Sequence, residues 1–137
     1  MDYRQRKIIK SSFAIVRPRM KHMMADFYDR LFTRRPDYRT LFPDDMATQH
    51  VKFIQFFSQL IGMIDHLDSV NESCRVLGRN HAGYGVQPED YDVVGVVLLE
   101  TLENALGEEW SSDLATAWAE LYATISSAMI SASRQAA

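Results

Sequence analysis

The chain has 137 residues, of which 47% are hydrophobic and 24% charged, and a net charge of −3. That suffices for one domain with a substantial core and is too short for a comfortable two-domain enzyme, so residues 1–137 are expected to form a single domain. Asp2, Arg4, Arg6, Lys7 and Lys10 crowd the start with no apolar run behind them, which argues against a signal peptide. The longest apolar run, Val93 to Leu99, is far short of the roughly 20 residues a membrane span needs; a cytoplasmic protein with no membrane partner is expected.

Residues 1–52 hold 12 Lys and Arg against 6 acids, and residues 53–137 hold 3 against 12. Such a split could steer a charged partner, though solvated helix faces give the same imbalance and are the better account. No basic–aromatic pattern points to nucleic acid. The single Cys74 offers no disulfide and no metal cluster, and reads as a small core residue.

The first segment, about residues 2–16, places Ile9, Phe13 and Val16 on one face and its basic residues on the other, as a surface helix does. Pro18 suits the first turn of a second helix, about 18–34, with the stripe Met20, Met24, Phe27, Tyr28 and Leu31. Tyr28 therefore faces inward, where its hydroxyl needs a partner. Pro36 opens a short turn or helix leading to Leu41-Phe42-Pro43, and Asp44 or Asp45 is a plausible cap for the next helix.

That third helix, about 45–66, buries Phe53, Phe56, Phe57, Leu60, Ile61 and Ile64, and carries Gln49 on the same face four residues before Phe53. A buried amide without partners is costly, so Gln49 sits at a rim or has something to bind. Ser69-Val70-Asn71-Glu72 fits a capping box for a short helix with Val70, Cys74, Leu77, His81 and Tyr84 inward. Pro88 and Glu89 start the next, which points Tyr91, Val94, Leu98 and Leu102 inward and ends at Gly107. The last opens near Ser111, buries Leu114, Trp118, Leu121, Ile125 and Met129, and frays from Ser133 to Ala137. The expectation is an all-α fold of seven to eight helices.

Three polar side chains thus lie on apolar faces: Tyr28, Gln49 and His81. By itself an inward His81 is either a metal ligand or a hydrogen-bonded core histidine. Together with Phe42, the three resemble the globin family, in particular bacterial single-domain haemoglobins and the globin domain of flavohaemoglobins. The resemblance rests on Phe27-Tyr28-x-x-Leu31-Phe32, Pro36-x-x-Arg39-x-Leu41-Phe42, Gln49-x-x-Lys52-Phe53, Leu77-x-x-x-His81-x-x-x-Gly85-Val86, Pro88-Glu89-x-Tyr91-x-x-Val94-Gly95 and Ala117-Trp118-x-x-x-Tyr122. It spans essentially the whole chain, with 14 residues from Tyr28 to Phe42, 32 from Gln49 to His81 and 10 from His81 to Tyr91.

The resemblance implies a globin fold of seven to eight helices around a haem, with His81 as the proximal iron ligand. No Cys-x-x-Cys-His occurs, so the haem would be b-type and non-covalent. Phe42, Lys52, Phe53, Val86 and Tyr91 would contact the cofactor, Phe42 packing on the porphyrin and Lys52 reaching a propionate or remaining a solvated lysine. Tyr28 and Gln49, beside Phe53, would be hydrogen-bond donors in the distal pocket. A hydrogen bond to a charged acceptor is worth about 1.5–3 kcal/mol, which slows oxygen release on the order of ten- to a hundredfold.

Departures from the family pattern matter as well. Flavohaemoglobins continue into flavin and nicotinamide domains that these residues do not include, so an electron would come from a separate reductase. Ser133 falls where their glutamate would stand and Asn80 replaces a lysine, which weakens the expected push on the proximal imidazole and with it peroxidase-like chemistry. His50 replaces a common proline. One residue along a helix is a rotation of about 100°, so His50 should point away from iron, whereas a shift of register would make it a sixth ligand. His22 and His66 are expected at the surface.

Four readings are open: reversible O2 binding as a carrier, store or scavenger; nitric oxide dioxygenation with a separate reductase; gas sensing, with CO and NO among the ligands; and a globin fold without haem. A monomer or homodimer suits any of them. Hydrolytic and nucleotide-binding motifs (Gly-x-Ser-x-Gly, Gly-x-x-x-x-Gly-Lys, His-Glu-x-x-His) are absent.

Overall fold

A computed structural model describes residues 1–136, and among them there are six α-helices, four short 3-10 segments and no strand. α1 spans Tyr3–Val16, α2 Met20–Arg34, α3 Ala47–Gly62, α4 Asn71–Gly83, α5 Pro88–Leu106 and α6 Ser112–Ala136. The all-helical expectation holds. The number of α-helices is six rather than seven or eight, because the shorter helical stretches are 3-10 turns.

Local chemistry explains most of the boundaries. The Asp2 carboxylate accepts the Gln5 N–H at 2.8 Å while the Gln5 side chain accepts the Asp2 N–H at 3.1 Å, a reciprocal cap that opens α1. Pro18 falls in the 3-10 turn Arg17–Arg19 just ahead of α2, where its missing N–H leaves no hydrogen bond broken. Asp45 accepts the Ala47 N–H at 3.0 Å at the start of α3. At α5, Pro88 is the first residue and Asp90 accepts the Gln87 N–H at 2.8 Å. Gly107, at φ 55°, ends α5 as expected.

Four expectations need correction. The third helix ends at Gly62 rather than near residue 66, and Ile64 lies in the 3-10 segment Ile64–Val70. Ser69 and Glu72 form no capping box: Ser69 lies inside that 3-10 segment, which is interrupted at His66 (φ −137°, ψ 55°), and α4 begins at Asn71 with no side-chain cap. Tyr84 is 70% exposed rather than buried, because α4 ends at Gly83 and the helical period ends with it. α6 does not fray from Ser133 but continues to Ala136, with Ala132 buried; Ala137 lies outside the described residues.

The core is built from the predicted stripes. Ile9, Phe13 and Val16 of α1, Met20, Met24, Phe27, Tyr28 and Leu31 of α2, and Leu114, Trp118, Leu121, Ile125 and Met129 of α6 are all buried. Trp118 stacks on Phe57 at 5.5 Å and donates its indole N–H to Ser12 Oγ at 3.0 Å, so its polar handle is satisfied inside the core. α2 packs on α5, α3 on α1 and α2, and α4 lies along α6. That last contact is backbone to backbone at Gly78, where a Cβ would stand 2.2 Å from the Met129 carbonyl oxygen. α3 and α4, by contrast, are not among the closely packed helix pairs. Apolar side chains on these two helices, Phe53, Phe56 and Leu77, are only half-buried.

Candidate functional site

His81 sits in the last turn of α4, half-buried. Its Nδ1 lies 2.6 Å from the Leu77 carbonyl one turn back. With Nδ1 donating to that carbonyl, the neutral tautomer leaves Nε2 as a lone-pair donor, and among the described residues Nε2 has no hydrogen-bond partner. The segment after α4 folds back onto this turn: Gly85, at φ 84°, lets the Val86 N–H reach the His81 carbonyl at 3.1 Å. Only glycine adopts that conformation without strain, and it sets Val86, half-buried, beside the histidine.

Tyr91, in the first turns of α5, is buried with its ring 6.0 Å from the His81 ring. Its hydroxyl is the one buried side-chain polar atom without a partner among the described residues, and burial raises its pKa. Tyr122 of α6 fixes the backbone there, donating its hydroxyl to the Tyr91 carbonyl at 2.5 Å. The Tyr122 ring fits because Gly95 has no side chain; a Cβ there would lie 2.7 Å from it. Ser133 supplies no carboxylate and donates instead to the Ile130 carbonyl of its own helix at 2.7 Å.

On α2 and α3 a second group assembles around Tyr28. The Gln49 amide donates to the Tyr28 hydroxyl oxygen at 3.1 Å. The Tyr28 ring meets Phe42 edge-on at 5.6 Å, Phe53 edge-on at 6.3 Å and Phe27 at 5.0 Å. Burial pushes the Tyr28 phenol up, and the Gln49 hydrogen bond pulls it part of the way back, so at neutral pH the group keeps its proton. Because its oxygen accepts from Gln49, that proton remains free to be donated elsewhere.

Phe42 is held by its corner. Arg39 donates to the carbonyls of Phe42, Pro43 and Asp44 at 3.3, 2.8 and 2.8 Å, and its guanidinium lies over the Phe32 ring at 5.6 Å. Lys52 is exposed on α3, and His22 and His66 are exposed as expected. His50 reaches the same α2 residue as Gln49: its ring lies parallel to that of Tyr28, 5.1 Å away at 5°. Sequence reasoning missed this stack, the Tyr122 tie and the Arg39 anchor; for His50 the signal was its place next to Gln49 in the first turn of α3. Elsewhere a surface cleft includes Asp26, Arg30, Arg34 and Glu100, whose charges pair with one another.

A prepared imidazole on α4, a polar pair at α2 and α3, and half-buried apolar side chains on α3 and α4 are groups suited to holding a flat apolar macrocycle with a metal at its centre. The orphaned Tyr91 hydroxyl, buried near the imidazole, fits a site that a bound group completes. Fold and site thus define a six-helix cofactor-binding protein of the haem type. The chain belongs to the globin family, whose model matches residues 25–129, and the cofactor of the family is haem. The flavohemoprotein of Bacillus subtilis is 27% identical over 133 residues, covering 95% of this chain and 33% of the relative. An uncharacterized globin-like protein of Aquifex aeolicus is 27% identical over 126 residues, covering 90% of this chain and 88% of its own length. The chain therefore spans about a third of the flavohemoprotein it matches. Among solved structures, an engineered carbene transferase made from a candidate nitric oxide dioxygenase of Rhodothermus marinus superposes with a TM-score of 0.88 at 23% identity, over 98% of this chain and 94% of that one. No helix among the described residues is long and apolar enough to cross a membrane.

Proposed function

We propose that this globin domain binds O2 reversibly, with His81 as the proximal iron ligand and Tyr28 and Gln49 as distal hydrogen-bond donors. When bound, haem b supplies a ferrous iron that takes up diatomic gases. The observation that carries the reading is the 3.1 Å hydrogen bond from Gln49 to the Tyr28 oxygen, which leaves the tyrosine proton available to a ligand.

His81 presents Nε2 because Leu77 holds Nδ1, so the imidazole is oriented before any metal arrives. Phe42 and Phe53 cover the apolar faces, Val86 and Tyr91 close the proximal side, and Lys52, free in solvent, is long enough to meet a carboxylate at the rim. Tyr28 donates to the ligand and Gln49 keeps the tyrosine oriented.

The test is the absorption spectrum of haem-reconstituted protein, ferric and then reduced with and without CO, followed by stopped-flow O2 release. His81→Ala should lose haem or hold it weakly. Tyr28→Phe should speed O2 dissociation on the order of ten- to a hundredfold, the equivalent of one hydrogen bond to a charged acceptor. Equal rates in wild type and Tyr28→Phe would remove the tyrosine from the mechanism, and no haem uptake would remove the whole reading.

A second reading, nitric oxide dioxygenation with electrons from a separate reductase, is favoured by the flavohemoprotein relatives and by the name of the Rhodothermus neighbour. The same distal pair serves it. Multiple turnovers of NO to nitrate in the presence of a cellular reductase would establish it; consumption that stops after one equivalent would exclude it.

A further inference from the structure

Tyr28 is gripped at two points by consecutive residues of one helix turn. Gln49 holds its hydroxyl at 3.1 Å, and the His50 imidazole lies parallel to its ring at 5.1 Å and 5°. Neither contact is incidental to the fold. His50 comes directly after Gln49 in the first turn of α3, where its own N–H bonds to the Met46 carbonyl at 2.9 Å, and its ring is half-buried rather than free in solvent. Of the other aromatic neighbours, Phe27, Phe42 and Phe53 approach Tyr28 edge-on, and Phe32 is tilted by 33°. They can fill space around the phenol, but the imidazole is the partner that lies parallel to it.

A tyrosine hydroxyl swings through an arc when its ring rotates about the Cα–Cβ bond, since the oxygen is the atom farthest from that axis. Fixing the oxygen alone leaves the ring free to tilt about the Gln49 contact. Fixing the ring plane as well removes that freedom. We propose that His50 is a positioning residue of the distal site: stacked on Tyr28 while Gln49 holds its oxygen, it sets the direction in which Tyr28 presents its proton to a ligand. This rests on the reading of Tyr28 and Gln49 as the distal side of a haem pocket. It concerns the ring plane of His50 and not its charge, so a flat neutral ring should replace it and a small side chain should not.

The experiment has two readouts. In haem-free protein, the ring carbon-bound protons of His50 are followed by NMR. A stacked imidazole is shifted by the phenol ring current, and the shift should vanish in Tyr28→Leu; unchanged His50 signals would overturn the stack without reference to haem. In reconstituted protein, His50→Ala and His50→Phe are compared by the infrared stretch of bound CO and by O2 release. His50→Ala should broaden or split the CO band and speed O2 release roughly two- to tenfold, the range that an aromatic pair of this kind spans. His50→Phe should restore both, and in a Tyr28→Phe background His50→Ala should change neither. A single unaltered CO band and rate in His50→Ala, with haem fully bound, would overturn the role of His50 and leave the haem reading intact. Failure of the wild type to take up haem would overturn the haem reading, whatever the NMR shows.

Discussion

Tyr91 carries a buried hydroxyl with nothing to bond among the described residues. Leaving such a group unsatisfied costs about 1–3 kcal/mol of stability, an expense that a core normally avoids by placing phenylalanine there. In haem-free protein Tyr91→Phe should therefore be no less stable than wild type and should gain up to about 1 kcal/mol, measured as the urea midpoint at constant slope. A loss of stability would mean that the hydroxyl has a partner after all. Ser133 on the last helix offers it no carboxylate and bonds instead to the Ile130 carbonyl of its own helix. The same residue scale shows why His81 stood out in the sequence as a candidate ligand and the His50 stack did not. His81 lies on a stripe with Cys74 and Leu77 and carries a family spacing, whereas nothing in the pattern places the residue after Gln49 against the same Tyr28 that Gln49 bonds.

Helix α4 is positioned by what it lacks. At Gly78 its backbone rests on that of α6 so closely that a Cβ would overlap the Met129 carbonyl at 2.2 Å, and backbone cannot give way as a side chain can. Gly78→Ala should push α4 off α6 and destabilise the protein by about 1–3 kcal/mol. Because α4 carries His81, the same variant should lose haem faster to a scavenging apoprotein than wild type does; an unchanged urea midpoint would show that the helices separate freely. Here the limits of sequence are physical. The stripes of α1, α2 and α6 and the punctuation at Pro88 and Gly107 were legible because burial and backbone geometry are written into single residue types. The start of α4 was not, since the local signal of Ser69 and Glu72 falls where a 3-10 segment runs through Ser69 directly into the helix. Spacing singled out the candidate site residues, but the closeness of α4 to α6 at Gly78 and the Gln49–Tyr28 contact depend on packing between distant segments.

At the scale of the whole molecule, four of the six tyrosines, Tyr28, Tyr38, Tyr91 and Tyr122, hold their protons more tightly in the folded state than an exposed phenol does, each chiefly through burial. Tyr38 is pushed up to about 12, with its hydrogen bond to Asp90, at 2.6 Å, adding to burial. These groups tie separate parts of the fold together: Tyr28 joins α2 to α3 through Gln49, Tyr38 joins the segment before Phe42 to α5, and Tyr122 joins α6 to α5. A raised folded-state pKa contributes stability that is fully present below the unfolded phenol value of about 10 and is lost as pH rises through the folded value. Haem-free protein should accordingly hold its helical circular dichroism to about pH 10 and lose it over the next units, with the phenolate absorbance of the buried tyrosines rising in step. Ionisation of all six tyrosines with the helical signal intact would show that the phenols are solvated in the native state. The pocket would then be open to water at Tyr28, and a hydroxyl competing with solvent would be a poor donor to a bound gas.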